Sequence, residues 1–314
     1  MLPRYILKRL LGAIPTLLIL VTIAFFLIRI APGGPFDDDR NLPPEIIANL
    51  EAKYNLDQPL MVQYVNYLGS VLRGDLGPSF QYSDFTVNEL IAEGFPVSIR
   101  LGLSALIVAL LFGVLIGTIA AWRQNSRLDY ALMGTAMTGI AIPNFVLAPI
   151  LILLFAVYMG WLPAGGWGGG QLRNMVLPVI ALALPYMAYV ARLTRGSMVE
   201  TLRSDFVRTA RAKGLPEKEI LFNHALKPAL LPVISYLGPA AAGILTGSVV
   251  VERIFTIPGI GSYFVQGALN RDYTLVMGVV ILYGILIILF NYLVDLIYAW
   301  LDPRIRYDDQ EAGA

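Results

Sequence analysis

Leu10-Leu11-Gly12-Ala13-Ile14-Pro15-Thr16-Leu17-Leu18-Ile19-Leu20-Val21-Thr22-Ile23-Ala24-Phe25-Phe26-Leu27-Ile28-Arg29-Ile30 is an apolar run preceded by Lys8 and Arg9. About 20 such residues are needed to cross the hydrocarbon core of a bilayer as a helix. A cleavable secretory signal has a shorter apolar part, about 7–15 residues, ending at a small-residue cleavage site. This run is longer and ends in Arg29-Ile30-Ala31-Pro32, so it reads as a retained first span. The rest of the chain has the same character. It is 57% hydrophobic and only 14% charged, with a mean hydropathy of +0.67, far from the balance of a soluble domain. Further apolar runs cover Val97–Trp122, Tyr130–Tyr158, Met175–Leu193, Pro228–Val251 and Leu275–Leu301. The expected fold is an all-α polytopic membrane protein with six transmembrane helices.

The distribution of charge gives an orientation. Basic residues cluster at Arg4, Lys8 and Arg9, at Arg123 and Arg127, from Arg192 through Lys227, and at Arg304 and Arg306. They alternate with acidic or nearly uncharged loops, the first carrying Asp37, Asp38, Asp39, Glu45, Glu51, Asp75, Glu89 and Glu93. The positive-inside rule then places both termini in the cytoplasm, in agreement with an even number of spans.

Several kinds of chemistry are excluded. There is no cysteine, hence no disulfide, zinc-thiolate site or thiol catalysis. The lone His224 cannot build a histidine metal cluster and reads as a solvated helix residue. Ion-coupled transporters need acidic groups near the midplane, but only Asp295 falls within a span, near its end, where an interfacial role fits better. No repeated carbonyl filter is present for a channel, and no paired acid or nucleophile and base for an intramembrane hydrolase.

The organisation along the chain follows. Residues 1–31 form the N-terminal segment and first span, 32–96 a helical periplasmic cap, 97–303 a core with a short helix at 204–214, and 304–314 a cytoplasmic tail. Within the cap, Pro43 and Pro44 open a helix with Ile46, Ile47, Leu50 and Tyr54 on one stripe. Pro59 opens another carrying Val62, Val65, Leu68 and Leu72. Arg73-Gly74-Asp75 resembles an adhesion triplet, but Gly74–Pro78 reads better as turns. The spans contain many prolines, Pro143, Pro149, Pro178, Pro185 and Pro239 among them, and the pairs Gly113/Gly117 and Gly243/Gly247 allow close helix approach. Kinks and close crossings suit a bundle that moves. Tyr186, Tyr189 and Tyr236 face either a translocation path or lipid.

The most ordered piece of the basic loops is Ser204-Asp205-Phe206-Val207-Arg208-Thr209-Ala210-Arg211-Ala212-Lys213-Gly214-Leu215-Pro216. Ser204 or Asp205 is suited to an N-cap, Gly214 to the left-handed position after the helix, and Pro216 forbids continuation. Topology needs charge but no such shape. The shape fits a docking peg, with Phe206 as an apolar anchor and the small Ala210 and Ala212 letting a partner approach the backbone. No phosphate loop accompanies it: Gly165-Gly166-Trp167-Gly168-Gly169-Gly170 has no following lysine. Nucleotide hydrolysis, if it drives the protein, therefore belongs to a partner.

Through most of its length the chain resembles the membrane subunits of bacterial oligopeptide importers, which are binding-protein-dependent permeases of the ATP-binding-cassette class. The residues that carry the resemblance are Ala31-Pro32-Gly33-Gly34-Pro35-Phe36, Leu42-Pro43-Pro44-Glu45, Arg73-Gly74-Asp75, Gly77-Pro78-Ser79-Phe80, Thr194-Arg195-Gly196-Ser197-Met198, Arg208 through Leu215, Pro258-Gly259-Ile260-Gly261 and Asp302-Pro303-Arg304. The superfamily's cytoplasmic motif, Glu-Ala-Ala, three residues, then Gly, falls on Arg208-Thr209-Ala210 and Gly214, with Arg208 in place of the glutamate and the later proline one place on, at Pro228. The resemblance implies a cytoplasmic coupling helix between spans four and five, with Asp205, Phe206, Arg208, Thr209, Ala210, Arg211, Ala212, Lys213, Gly214 and Leu215 at an ATPase groove. It implies that Pro258, Gly259, Ile260 and Gly261 form a periplasmic gate loop. Expected partners are a second homologous permease subunit, two cytoplasmic ATPase subunits and an extracytoplasmic peptide-binding protein. ATP and magnesium would bind those ATPases, with no metal, cofactor or catalytic residue on this chain. The expected function is import of oligopeptides across the bacterial inner membrane. Dipeptide or nickel-chelate import remains an alternative within the family, and secondary transport one outside it.

Overall fold

The computed structural model describes residues 2–30, 34–35, 44–82 and 84–301. The acidic run Asp37–Asp39, Asp302-Pro303-Arg304 and the tail lie outside the described residues, as does the side chain of Ile47. In chain order the helices are α1 (Leu2–Ile30), α2 (Pro44–Lys53), α3 (Leu60–Leu72), α4 (Val87–Trp122), α5 (Arg127–Ala141), α6 (Asn144–Leu151), α7 (Leu172–Leu202), α8 (Asp205–Ala212), α9 (Glu217–Glu219), α10 (Leu226–Ala229), α11 (Leu231–Ile254), α12 (Ile260–Leu269) and α13 (Tyr273–Leu301). Two π-helical segments, Ile152–Tyr158 and Ile220–Ala225, a 3-10 turn at Gly168–Gly170 and one isolated bridge between Pro78 and Thr86 complete the regular structure of the described residues. The fold is all-α.

α1, α4, α7, α11 and α13 are long and apolar enough to cross a membrane, and α5 with α6 and its π-helical extension makes a sixth crossing if counted as one span. A continuous third span over Tyr130–Tyr158 is not what forms: the chain bends by 108° between α5 and α6. Ile142 is extended (φ −93°, ψ 117°) because the residue before a proline is pushed out of the helical region, and Pro143 then sits ahead of α6. The second span also starts earlier than its apolar run, at Val87 rather than Val97. Thr86 and Glu89 build a reciprocal capping box there: the Thr86 amide donates to Glu89 Oε2 at 2.8 Å and the Glu89 amide to Thr86 Oγ1 at 3.3 Å.

Helix ends share one device. At the ends of α2, α3, α8 and α11 the second amide past the cap reaches back to the third-last helical carbonyl: Leu56 to Glu51, Asp75 to Ser70, Leu215 to Ala210 and Ile257 to Glu252. The left-handed residue in these Schellman motifs is Asn55, Gly74, Gly214 and Thr256 respectively. Arg73-Gly74-Asp75 is thus the end of α3, with Gly74 at φ +80°.

Contacts divide the chain into two compact units, and α4 and α13 contribute residues to both. The first comprises residues 1–98 and 258–286. Its core buries Phe25 with Val21, Met277 and Ile281, against Tyr64, Tyr67, Leu68 and Val71 of α3. The apolar stripe expected on α3 is therefore rotated. Val62, Val65 and Leu72 are exposed, and the tyrosines face inward because their rings stack on Phe25, at 5.3 Å for Tyr64. On α2, Leu50 with the following Tyr54 packs against Phe80 and Tyr273, while Ile46 is exposed. The second unit comprises 99–257 and 287–314. There α4 lies on α7 through Gly113 and Gly117, where a Cβ would meet the Met187 carbonyl at 2.8 Å and the Ala191 carbonyl at 2.5 Å. Gly243 of α11 similarly seats the Tyr186 hydroxyl, 2.6 Å from where its Cβ would lie. Gly113 and Gly117 do the close packing their spacing suggests; of the second pair only Gly243 does, since a Cβ at Gly247 would stand 3.7 Å from the Tyr186 hydroxyl.

Candidate functional site

α8 follows α7 after a two-residue turn, and an isolated helix of this length is marginal, so packing must hold it. Val207 and Ala210 provide that packing: both are buried in a small core with Met198, Ala121, Ile220, Leu221, Ala225 and Ala229, flanked by Leu202 and Leu215. Complete burial of Val207 contributes about 1.5–3 kcal/mol. Gly214 stands at φ +77°, and its amide donates to the Arg211 carbonyl at 2.9 Å. Leu215 returns to the same apolar core. Arg211 bridges to Glu217 at 2.8 Å and its Nη1 donates to the Leu202 carbonyl at 3.4 Å, tying the end of α8 to the end of α7.

Two details differ from expectation. No side chain caps the N-terminus of α8: Ser204 donates instead to the Thr201 carbonyl at 2.6 Å, and Asp205 points to solvent, 90% exposed, with Arg208 at 3.3 Å. A pair that open contributes little stability. Ala210 faces the protein's own core, so of the two alanines only Ala212 is presented outward. The outward face thus consists of Phe206, Arg208, Thr209, Arg211, Ala212 and Lys213, with Phe206 49% exposed. Phe206 is thus left half exposed among cations. Nearby His224 is half-buried in the π-helical segment, with Nδ1 3.3 Å from the Glu219 carbonyl oxygen, rather than solvated.

The second stretch, in the first unit, is anchored rather than loose. Pro258 is exposed and Gly259 precedes α12 in an extended conformation, but Ile260 and Gly261 are buried. The Ile260 amide donates to Ser98 Oγ at 2.8 Å, and Gly94 of α4 leaves room for it, since a Cβ there would stand 3.0 Å from the Ile260 nitrogen. Tyr263 on α12 donates to Glu93 Oε2 at 3.5 Å. Burial, and then the negative Glu93, push its hydroxyl above the ordinary tyrosine range, so it stays a donor.

Three buried carboxylates, Asp129, Glu252 and Asp272, escaped the sequence reading. Asp272 ahead of α13 accepts from Ser79 Oγ, from the Phe80 and Gln81 amides at 3.1 and 3.2 Å, and from the Leu275 amide at 3.0 Å. An aspartate directly before an apolar run is a readable N-cap signal. Asp129 in α5 is 1% exposed and receives Arg195 of α7 at both oxygens, Nε and Nη2 each at 2.6 Å, together with the Asn125 amide at 2.9 Å. Its own amide donates to Ser126 Oγ at 3.2 Å. Ser126-x-x-Asp129 was legible as a cap, but not its partner on α7.

Comparison with known proteins places the chain among transporters. Residues 113–307 match the family described as binding-protein-dependent transport system inner membrane component, and residues 1–102 match the N-terminal model of the same system. An oligopeptide transport system permease protein OppB from Salmonella typhimurium is 59% identical over 304 residues, covering 97% of this chain and 99% of the relative. A dipeptide transport system permease protein DppB from Bacillus subtilis is 48% identical, covering 96% and 98%. Among solved structures, the MetNI methionine ABC transporter in inward-facing conformations superposes with a TM-score of 0.56 at 16% identity, over 68% of this chain and 96% of that one. An amino acid ABC transporter with histidines gives 0.53 at 18% identity, over 68% and 94%.

Proposed function

We propose a mode of action from one premise: the chain belongs to the family of binding-protein-dependent transport system inner membrane components. It is a multi-pass inner-membrane permease subunit of an ATP-binding-cassette importer for oligopeptides, and not itself an enzyme. α8 is the element that receives force. The single observation behind this reading is its two-sidedness: Val207 and Ala210 fix it to the end of α7, while Phe206 and the cations beside it stay outward.

The charge pattern supports an arrangement with both termini and α8 in the cytoplasm and α2 and α3 in a cap on the outer face. A homologous second permease subunit would complete the pathway, and two cytoplasmic ATPase subunits, carrying ATP and magnesium, would each offer a groove to a coupling helix. Asp205, Phe206, Arg208, Thr209, Arg211, Ala212 and Lys213 are the residues available to that groove. Ala210, Gly214 and Leu215 act from behind by holding the helix in shape. Closure of the ATPases around ATP would displace α8 and with it α7, exchanging an inward-open for an outward-open arrangement by differential contacts in two states. An extracytoplasmic binding protein would deliver peptide at the outer face, near Pro258-Gly259-Ile260-Gly261. Because Ile260 is hydrogen-bonded and buried, opening there calls for movement of α12 as a body rather than of a loose tip.

The absence of cysteine makes the test direct. Ala212→Cys should crosslink to single cysteines placed along the ATPase groove, with a yield that changes between nucleotide-free and ATP-bound complexes. Failure at every groove position would remove α8 from the coupling role. The 48% identity to a dipeptide permease keeps dipeptide import as a second reading. Uptake that is lost for dipeptides but retained for longer peptides in a deletion strain would favour it.

A further inference from the structure

The clasp between Asp129 and Arg195 belongs to neither stretch described above, yet its geometry is specific. A bidentate guanidinium–carboxylate pair fixes orientation as well as distance, and burial of Asp129 protects it from the screening that weakens exposed pairs. The Asn125 amide and the Ser126 cap hold Asp129 from the α4–α5 turn, so the carboxylate cannot swing away with its own loop.

Its position matters as much as its strength. From Arg195 the helix α7 runs on to Leu202, and α8 is seated on Met198 and tied to the Leu202 carbonyl by Arg211. Any displacement of α8 is therefore delivered to the part of α7 that Asp129 grips. On the other side of that grip is α5, the first half of the span broken by 108°.

The adjoining face of α7 is built differently. There α4 touches it through Gly113 and Gly117, and the buried Thr118 and Thr194 hydroxyls have no hydrogen-bond partner. Elsewhere Thr135, Thr201 and Thr246 satisfy theirs on the carbonyl four residues back. A smooth glycine contact with unmet hydroxyls is a seam that can shift, whereas the ionic clasp is a joint that holds.

We propose that Asp129 and Arg195 are a positioning pair for transport, locking α5 to the α7 stem so that displacement of α8 moves both as one lever. The proposal rests on the reading of α8 as the coupling helix. Without the clasp, motion of α7 dissipates at the α4–α5 turn, and ATP hydrolysis proceeds without moving the broken span.

The test uses the assembled transporter with its partner subunits and binding protein. Spin labels at Ala131→Cys and Glu200→Cys, both exposed, report the α5–α7 distance. With the clasp intact, one sharp distance shared by nucleotide-free and ATP-bound complexes is expected. Asp129→Asn, which keeps the size but removes the charge, should co-purify at wild-type yield and hydrolyse ATP. Its peptide uptake should fall about tenfold or more, its hydrolysis should no longer rise with peptide-loaded binding protein, and its label distance should broaden. The double exchange Asp129→Arg with Arg195→Asp should restore part of the uptake, which a merely space-filling role would not. Uptake within twofold of wild type in Asp129→Asn, or a label distance that differs between nucleotide states with the clasp intact, would overturn the proposal. If Asp129→Asn does not assemble, the distance measurement on the intact clasp decides alone. The Ala212 crosslink separates the two readings, because it can fail while the label distance still reports a rigid α5–α7 pair.

Discussion

Thr256 holds the left-handed position that ends α11, at φ +51°, where Gly214 does the same work for α8 without strain. A β-branched residue is poorly suited to that region, and the penalty for an L-residue there is about 1–2 kcal/mol. Thr256→Gly should therefore raise stability by about 1 kcal/mol after allowing for glycine's larger unfolded-state entropy, read as a higher thermal midpoint in detergent. Gly214→Val should do the reverse, loosening α8 by about 1–2 kcal/mol, visible as faster amide exchange in 205–215. Asp272→Ala should be the most damaging of these changes. It strands the Phe80, Gln81 and Leu275 amides in a buried site, and a loss of at least ~2 kcal/mol is expected, with accelerated exchange at all three amides. At this scale the sequence was a good guide wherever the partner is local. Gly214, Gly74 and the Thr86–Glu89 box are all recognisable from neighbouring residues. Asp129 was not, because the arginine that explains it lies 66 positions away.

A helix is decided by its two faces, and α8 shows why both must be tested. Val207→Ala should detach the inner face, costing about 1 kcal/mol or more of local stability by opening space beside Met198 and Ile220. Phe206→Ala removes a ring that is half exposed and outside the core formed by Val207 and Ala210, so stability should stay within about 0.5 kcal/mol while peptide uptake falls. Equal losses of stability in the two variants would mean that the outward face is not free to dock. At the α4–α7 crossing, Gly117→Val should force the helices apart, because the Ala191 carbonyl and Thr194 Cβ leave no room. Overpacking of that kind costs about 1–3 kcal/mol. The spacing of Gly113 and Gly117 announced a close crossing but not its partner. Pro143 within the run Tyr130–Tyr158 announced a kink but not a bend of 108°: apolar periodicity reports environment, whereas the break reports backbone geometry.

For the whole molecule, orientation is the decisive unknown of membrane biology and also the simplest to measure in a chain without cysteine. A cysteine at the exposed Ala52 of α2 should react with an impermeant maleimide in cells whose outer membrane is permeabilised, and one at Ala212 of α8 only in inverted vesicles. Reaction of both from the same side would overturn the charge-based topology. By itself the sequence determined the class: apolar runs of spanning length have no stable place but lipid, and their backbones must then be helical. It also determined the existence of α8 and its C-terminal end, since a left-handed glycine and a proline act through their neighbours alone, whereas the side-chain cap expected at Ser204 or Asp205 did not form. Only the tertiary structure decided which face of α8 is spoken for and that Asp129 grips Arg195. Those outcomes depend on which distant surfaces meet, and short-range propensities do not encode the meeting.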